Sequence, residues 1–374
     1  MSIVPREIRA GADVITVGRA WPRSVSDDEL RVRLEGRDPL GRLRAGEATL
    51  RRDASCADSG WTLRDARLTP FATDDRLPGL EGLRGDLVVH RVGRRAVVRR
   101  ARDHVKVVRP DKVDTIVEAH ATGALLAGRA GWGSPSAHPL PGRSGAVSLS
   151  TLPGVPLHDL GAGTDLRVVR RAWRTFAAGW PRLARPGAVD LPVHDAAAEA
   201  ELTGTAVRRA LTVWAPPPEL RDGILARLAD VRAALLTDPG DPGAPSHRDL
   251  HDKQILVGER LGLLDLDTAA LAEPELDLAN LHEHVLLRGQ QGLWSSEAVT
   301  AGVEGVAAAA ATLRVDARRM AAYRAATRLR LAGIYLFRPR WAAQAQGWLA
   351  AAVHESPLME SSPAGHARLG AWRT

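Results

Sequence analysis

At 374 residues with 45% apolar content, the chain has the length and composition for two domains and a large buried core. Its formal charge is +7, but only Lys106, Lys112 and Lys253 are lysines among 51 basic residues, a bias that looks like GC-rich codon usage; no basic stripe with interleaved aromatics marks a nucleic-acid surface. The single cysteine, Cys56, excludes an internal disulfide, the first eleven residues lack an apolar stretch of signal length, and the longest small-apolar run (307–313) is too short for a bilayer, so a cytoplasmic protein with no membrane partner is expected.

The first 78 residues read as an extension of short strands and turns. Stretches 31–34, 48–52 and 61–63 alternate between Gly, Asp and Ser clusters, and no chemistry attaches to them. A clearer hairpin follows, 86–91 and 95–100, joined around Gly93. A third apolar strand, 104–108, ends at Pro110. From Asp111 the period becomes helical, with Val113, Ile116, Val117 and Leu125 close to one face before Gly128. Another strand, 146–151, runs into Leu152-Pro153-Gly154. Beyond it helices are expected over 165–183, 196–214, 218–237, 296–313, 316–337 and 341–354. The interruption is 246–267, a polar loop leading into strands 255–257 and 261–266 around the turn Gly258-Glu259-Arg260. A β-rich lobe over 79–152 and a mostly helical lobe over 153–374 make the chain α+β, with the seam near 152–156.

Residues 246–278 read SHRDLHDKQILVGERLGLLDLDTAALAEPELDL, and their polar members sit on a loop and at strand ends, where a rigid scaffold presents them. Phosphoryl transfer to a hydroxyl needs such a set: a carboxylate near the acceptor O–H, hard oxygens for Mg²⁺, and a cation for phosphate charge. His247-Arg248-Asp249, a polar residue five positions on, and an aspartate ending the next hairpin resemble the aminoglycoside phosphotransferase family, which shares the bilobal protein-kinase-like fold. The resemblance covers roughly residues 86–290 and is sharp over 246–281.

The resemblance implies that ATP and Mg²⁺ are the cofactors and that Asp249 is the catalytic aspartate. It makes Asp265 a metal ligand, Asp267 an auxiliary one, and Asp277 a buried brace of the catalytic loop. Gln254 stands where the family usually carries asparagine; its carbonyl can also ligate Mg²⁺, from one methylene further away. Lys106 becomes the phosphate-binding lysine, with Glu118 on the next helix as its ion-pair partner. The hairpin around Gly93 would cover the phosphates, although no GxGxxG is present, and Ser150, Thr151 and Leu152 would form the hinge that meets the adenine edge. His247 is a loop brace, and Lys253 a γ-phosphate contact. The family suggests an antibiotic- or sugar-like hydroxylated acceptor, while the basic charge pulls gently against polycationic drugs. Two alternatives stay open: a kinase for Ser or Thr of a peptide in lanthipeptide-type biosynthesis, gripped by residues 1–78, and a nucleotide-binding pseudokinase scaffold.

Overall fold

The computed structural model describes residues 2–53 and 60–358; Cys56 lies outside the described residues. The N-terminal segment is more regular than its sequence suggests. Five strands, β1 (Glu7–Ala10), β2 (Asp13–Val25), β3 (Glu29–Arg37), β4 (Leu43–Arg52) and β5 (Trp61–Leu68), pair antiparallel in sequential order. β1 also lies beside β5, so the sheet curls. In β3, Leu30, Val32 and Leu34 are fully buried with Arg31 exposed between the first two, while Arg33 and Glu35 further along are buried as well, so this strand is covered on both faces at its C-terminal end. β1 and β2 went unread because Gly18, Pro22 and interspersed arginines break the apolar alternation of the longest strand.

This sheet does not stand alone. Ile8, Ile15, Leu30 and Leu34 share one apolar core with Val207, Leu211, Ile224 and Tyr323 of the helical lobe. Hydrogen bonds sew the seam, from Trp61 Nε1 to the Val213 carbonyl (2.8 Å), from Arg52 Nη2 to the Thr212 carbonyl (2.6 Å) and from the Ala20 amide to the Phe337 carbonyl (2.9 Å). The expected extension is therefore built into the helical lobe.

The second sheet contains β6 (Asp86–Arg91), β7 (Arg95–Arg99), β8 (Asp103–Val108), β9 (Ala137–Pro139) and β10 (Ala146–Ser150), in the order β6-β7-β8-β10-β9. Helix α1 (Val113–Arg129) packs on it, Ile116 meeting Val108, Ala137 and Val147. Beyond the seam come β11 (Val155–Pro156), α2 (Leu157–Gly161), α3 (Leu166–Leu183), α4 (Ala196–Trp214) and α5 (Pro218–Leu236). Four short strands frame the segment 246–278: β12 (Ala244–Ser246), β13 (Ile255–Val257), β14 (Leu261–Leu263) and β15 (Ala270–Ala272). Helices α6 (Glu275–Gln290), α7 (Ser296–Leu313), α8 (Ala317–Tyr335) and α9 (Ala342–Ala352) complete the lobe. The helices start where side chains satisfy the free amides: Asp165, Asp195, Ser295 and Asp316 cap α3, α4, α7 and α8. Trp132, Trp173, Phe176 and Trp180 stack in the core of this lobe. The result is a bilobal α+β fold with a β-rich N-terminal half and a helical C-terminal half.

One boundary matters for function. The strand expected over 261–266 ends at Leu263, and Leu266–Thr268 forms a 3-10 turn. That early exit carries Asp265 and Asp267 out of the hairpin and toward the N-terminal lobe.

Candidate active site

The loop between β12 and β13 is held from behind by α6. The Asp277 carboxylate, in the first turn of that helix, accepts the His247 amide (2.6 Å) and the Arg248 amide (2.9 Å). One turn later Asn280 Nδ2 donates to the Leu250 carbonyl (2.9 Å). His247 Nε2 lies 2.7 Å from the Leu264 carbonyl, and its Nδ1 faces the Asp249 amide at 3.4 Å. The proton therefore belongs on Nε2, and the ring ties the loop to the chain just before Asp265. Arg248 (φ +67°) and Asp265 (φ +54°) both occupy the left-handed region, a cost of order 1–3 kcal/mol each that persists where surrounding contacts over-determine the backbone. Here those contacts are the Asp277 bonds on one side and the Lys106 bonds on the other.

Asp249 projects from this braced loop with just over half its side-chain surface exposed, and His251 Nε2 is 4.0 Å from its carboxylate. Gln254 sits at the loop's end, its amide nitrogen 3.4 Å from His251 Nε2 and its backbone paired with His251 and Leu264. Lys253 follows the loop outward. Much of its surface meets solvent, but enough protein surrounds the ammonium to push it down by desolvation, with Arg288 and Arg19 adding repulsion.

From the opposite lobe, Lys106 on β8 is buried and donates to Asp265 (3.0 Å) and to Asp267, 159 and 161 residues away in sequence. Burial alone would raise the Asp265 carboxyl; Lys106 and Arg95 overcome it and hold the group well below the usual carboxylate range. Arg95, at the start of β7, reaches Asp265 at 3.4 Å, which brings the Gly93 hairpin over the same carboxylate. Gly93 itself adopts φ +62°, and its amide donates to Asp74 (2.7 Å).

The expected pairing of Lys106 with Glu118 is not what the fold makes. Glu118 is exposed on α1, and the inward face of that helix carries His120, two residues on and so on the opposite side of the helix. Lys106 spends its donors on the two aspartates instead. His120 Nδ1 accompanies the Pro135 carbonyl (3.2 Å), and its Nε2 faces Asp267 Oδ1 at 3.5 Å; both of these facing atoms are buried without a hydrogen-bond partner. Ser150 ends β10 with its hydroxyl accepting the Ser136 amide (2.9 Å), Thr151 is exposed, and Leu152 packs against Gly133 and Gly262. These three residues mark the join between the lobes.

Among the described residues no cluster of three or more His, Cys, Asp or Glu side chains forms a metal cage. Mg²⁺ needs less, commonly one or two carboxylates with water and phosphate completing the octahedron. Asp265 and Asp267, presently neutralised by Lys106, and the unpartnered Asp267 Oδ1 fit that requirement.

A second network was missed from the sequence. Asp252, three residues after Asp249, is fully buried, and Arg288 of α6 grips it through Nε (2.7 Å) and Nη2 (2.8 Å). His158 Nδ1 lies 2.5 Å from the same carboxylate, and the His251 and His284 rings stack nearby at 4.9 Å. Desolvation alone would raise the Asp252 carboxyl, but His158 and Arg288 hold it far below its ordinary value. The available signal was an acid inside the catalytic loop followed by an arginine in the next helix.

No protein-family model matches the chain, and no curated protein matches it. Solved structures do resemble it. A choline/ethanolamine kinase family protein from Mesorhizobium loti is 20% identical, with 76% of this chain and 91% of that one aligned at a TM-score of 0.45. A glucosamine kinase is 17% identical over 91% of this chain and 92% of its own, also at 0.45. The aminoglycoside phosphotransferase APH(3'')-Id from Streptomyces rimosus is 22% identical over 67% and 92%, at 0.42. The functional reading rests on the side chains of the site.

Proposed function

We propose that the protein is an ATP-dependent phosphotransferase that moves the γ-phosphoryl group to a hydroxyl of a small molecule. The observation that carries this reading is the meeting of two halves: a braced loop presenting Asp249, and a buried Lys106 from the other lobe bonded to Asp265 and Asp267. A triphosphate and a divalent cation are the groups such a set serves.

In this reading the acceptor oxygen attacks the γ-phosphorus in line, the bond to the β-bridging oxygen breaks, and ADP leaves. Asp249 orients the hydroxyl and takes its proton. Among the described residues, its exposed carboxylate has no group within salt-bridge distance apart from the ring of His251 at 4.0 Å. Lys106 would offset phosphate charge at the site it shares with the two aspartates. Asp265 and Asp267, with the Gln254 carbonyl, would hold Mg²⁺, which when bound supplies charge neutralisation across the phosphates. His247, Asp277 and Asn280 keep Asp249 in position without touching substrate.

The test is ADP release across aminoglycosides, nucleosides, sugars and Ser/Thr peptides, with wild type and Asp249→Ala. Loss of the proton acceptor should lower turnover by roughly 10²- to 10⁴-fold while the circular dichroism spectrum stays native. Turnover within a few-fold of wild type removes Asp249 from that role. Nucleotide binding without Mg²⁺-dependent turnover on any acceptor identifies a scaffold instead.

A further inference from the structure

The junction of the three parts of the molecule is crowded with arginines around a single carboxylate, Glu35. Trp21 on β2 carries three guanidiniums around one indole: Arg19 at 5.4 Å, Arg91 at 5.0 Å and Arg338 at 5.5 Å from the ring centroid. They arrive from the N-terminal sheet, the end of β6 and the segment after α8, brought together where the Ala20 amide bonds the Phe337 carbonyl. An indole has two faces, so stacking alone does not account for three cations.

Arg19 has a partner, Glu35, whose other oxygen accepts the His90 amide (2.7 Å). Arg91 and Arg338 have none. Neither side chain makes a hydrogen bond or ion pair among the described residues, and Arg91 Nε and Arg338 Nη1 are buried with no acceptor. Arg91 also stands directly across the strand pair from Arg95, an arrangement of like charges that opposes pairing of the strands. The groups acting most strongly on Arg91 are burial and then four further arginines, and its guanidinium is pushed down to about 10; burial, with Arg19 beside it, likewise pushes Arg338 down to about 10. Half-buried cations without an ion-pair partner, each with a guanidinium nitrogen cut off from water, are costly unless something anionic joins them.

The patch adjoins the reaction centre on both sides. Arg95 reaches Asp265, and Arg19 is close enough to depress the Lys253 ammonium in the catalytic loop. Lys106 and the two aspartates already provide for the nucleotide from the second sheet. Arg19 and Arg338 come from outside that sheet, from β2 and from the segment after α8.

We propose that the acceptor is an anionic hydroxyl compound, a phosphate monoester or a carboxylate, whose oxyanion seats between Arg91 and Arg338 beside Trp21. This rests on the phosphotransferase reading and supplies its substrate class. It sets the enzyme apart from one acting on polycationic acceptors, for which this wall of the cleft is repulsive.

The experiment uses the full chain and acceptor pairs that differ in one anionic group: glucose and glucose 6-phosphate, ribose and ribose 5-phosphate, glucose and glucuronate. ADP release should give the anionic member of at least one pair a kcat/KM tenfold or more above its neutral partner. Arg91→Gln and Arg338→Gln should each cut that preference tenfold or more, with Arg→Lys at the same positions restoring part of it and covering a Gln variant that fails to fold. In parallel, calorimetry without ATP measures inorganic phosphate binding to wild type and variants. Phosphate bound by wild type and lost in the variants, with no ADP release from any pair, supports the anion site while the phosphotransferase reading falls. Equal use of neutral and anionic partners overturns the anion site and leaves that reading standing. Variants that weaken the Kd for ATP tenfold while acceptor preference stays unchanged assign the arginines to the nucleotide and overturn the proposal. Absence of both phosphate binding and anionic preference overturns it as well.

Discussion

Replacing Arg288 by methionine isolates the buried network behind the catalytic loop. The Arg288 side chain is 4% exposed and that of Asp252 is 0% exposed, so the substitution leaves a carboxylate in a site that water does not reach. Removing one partner of a buried, bidentate ion pair costs about 3–5 kcal/mol. At about 2 °C per kcal/mol, the lower end for large domains, the melting midpoint should fall by roughly 6–10 °C. The pH dependence follows from the direction of the Asp252 shift. Its carboxyl is depressed in the folded protein, so the pair's contribution is present above the unfolded carboxylate range and is lost only as pH falls through the lower folded value. Without Arg288, burial is opposed mainly by His158, so the carboxyl should move up from its wild-type position and the variant can neutralise it more readily by taking up a proton. The deficit should therefore be largest near pH 8 and shrink toward pH 5. Arg288→Met combined with Asp252→Leu should recover most of the loss, because a shape-matched apolar pair carries no desolvation cost. Urea unfolding of wild type, single and double variants from pH 5 to 8 measures all three quantities. A single-variant loss under 1 kcal/mol, or a double variant as weak as the sum of its parts, refutes the reasoning.

Lys106→Met frees Asp265 and Asp267 from their neutralising ammonium, so added Mg²⁺ should raise the melting midpoint more in the variant than in wild type, while ADP release falls by about 10²-fold or more; equal Mg²⁺ responses in thermal scans would remove the two aspartates from metal binding. A Cβ added at Gly123 would stand 2.5 Å from Leu266 Cδ1, next to Asp265, so Gly123→Ala should cost about 1–3 kcal/mol and lower turnover. Gly128→Ala on the same helix meets nothing within 4 Å and should be neutral or stabilising by about 0.5–1 kcal/mol in the same denaturation assay. Deletion of residues 1–78 strips the cover from Val207, Leu211 and Tyr323, so the remainder should aggregate instead of surviving as a folded enzyme with altered acceptor kinetics; a monodisperse, native-like product in size exclusion and circular dichroism contradicts the shared core.

What was legible in the sequence had a short-range physical signature. The helices 196–214 and 296–313 end where their amphipathic runs do, with Asp195 and Ser295 as caps, and the strand ends near Gly93 follow from its turn. The catalytic segment could be read because its residue types and spacings are confined to about thirty positions. What failed depended on long-range placement. Glu118 was paired with Lys106 on the strength of a helix period and a family expectation, but which face of α1 turns inward is settled by Gly123 resting on Leu266, and that contact selects His120. The Asp252–Arg288 pair spans 36 residues and two elements, with no local pattern to announce it.

The rarity of lysine cuts in two directions. Lys106 was conspicuous because almost every other cation is arginine, and it proves to be the buried ammonium that joins the lobes. The same bias hid Arg91 and Arg338, since an arginine in this chain carries no information by its identity alone. What sets them apart from the ion-paired arginines is that neither side chain makes a hydrogen bond or ion pair among the described residues, although both lean on the Trp21 ring. Arginines such as Arg44, Arg227 and Arg319 meet carboxylates from elements far away in sequence, Asp13, Glu355 and Glu273, so the chain often gives a buried guanidinium an ion-pair partner. Two that it leaves unsatisfied, side by side and next to the proposed reaction centre, mark the place where the missing charge has to come from outside.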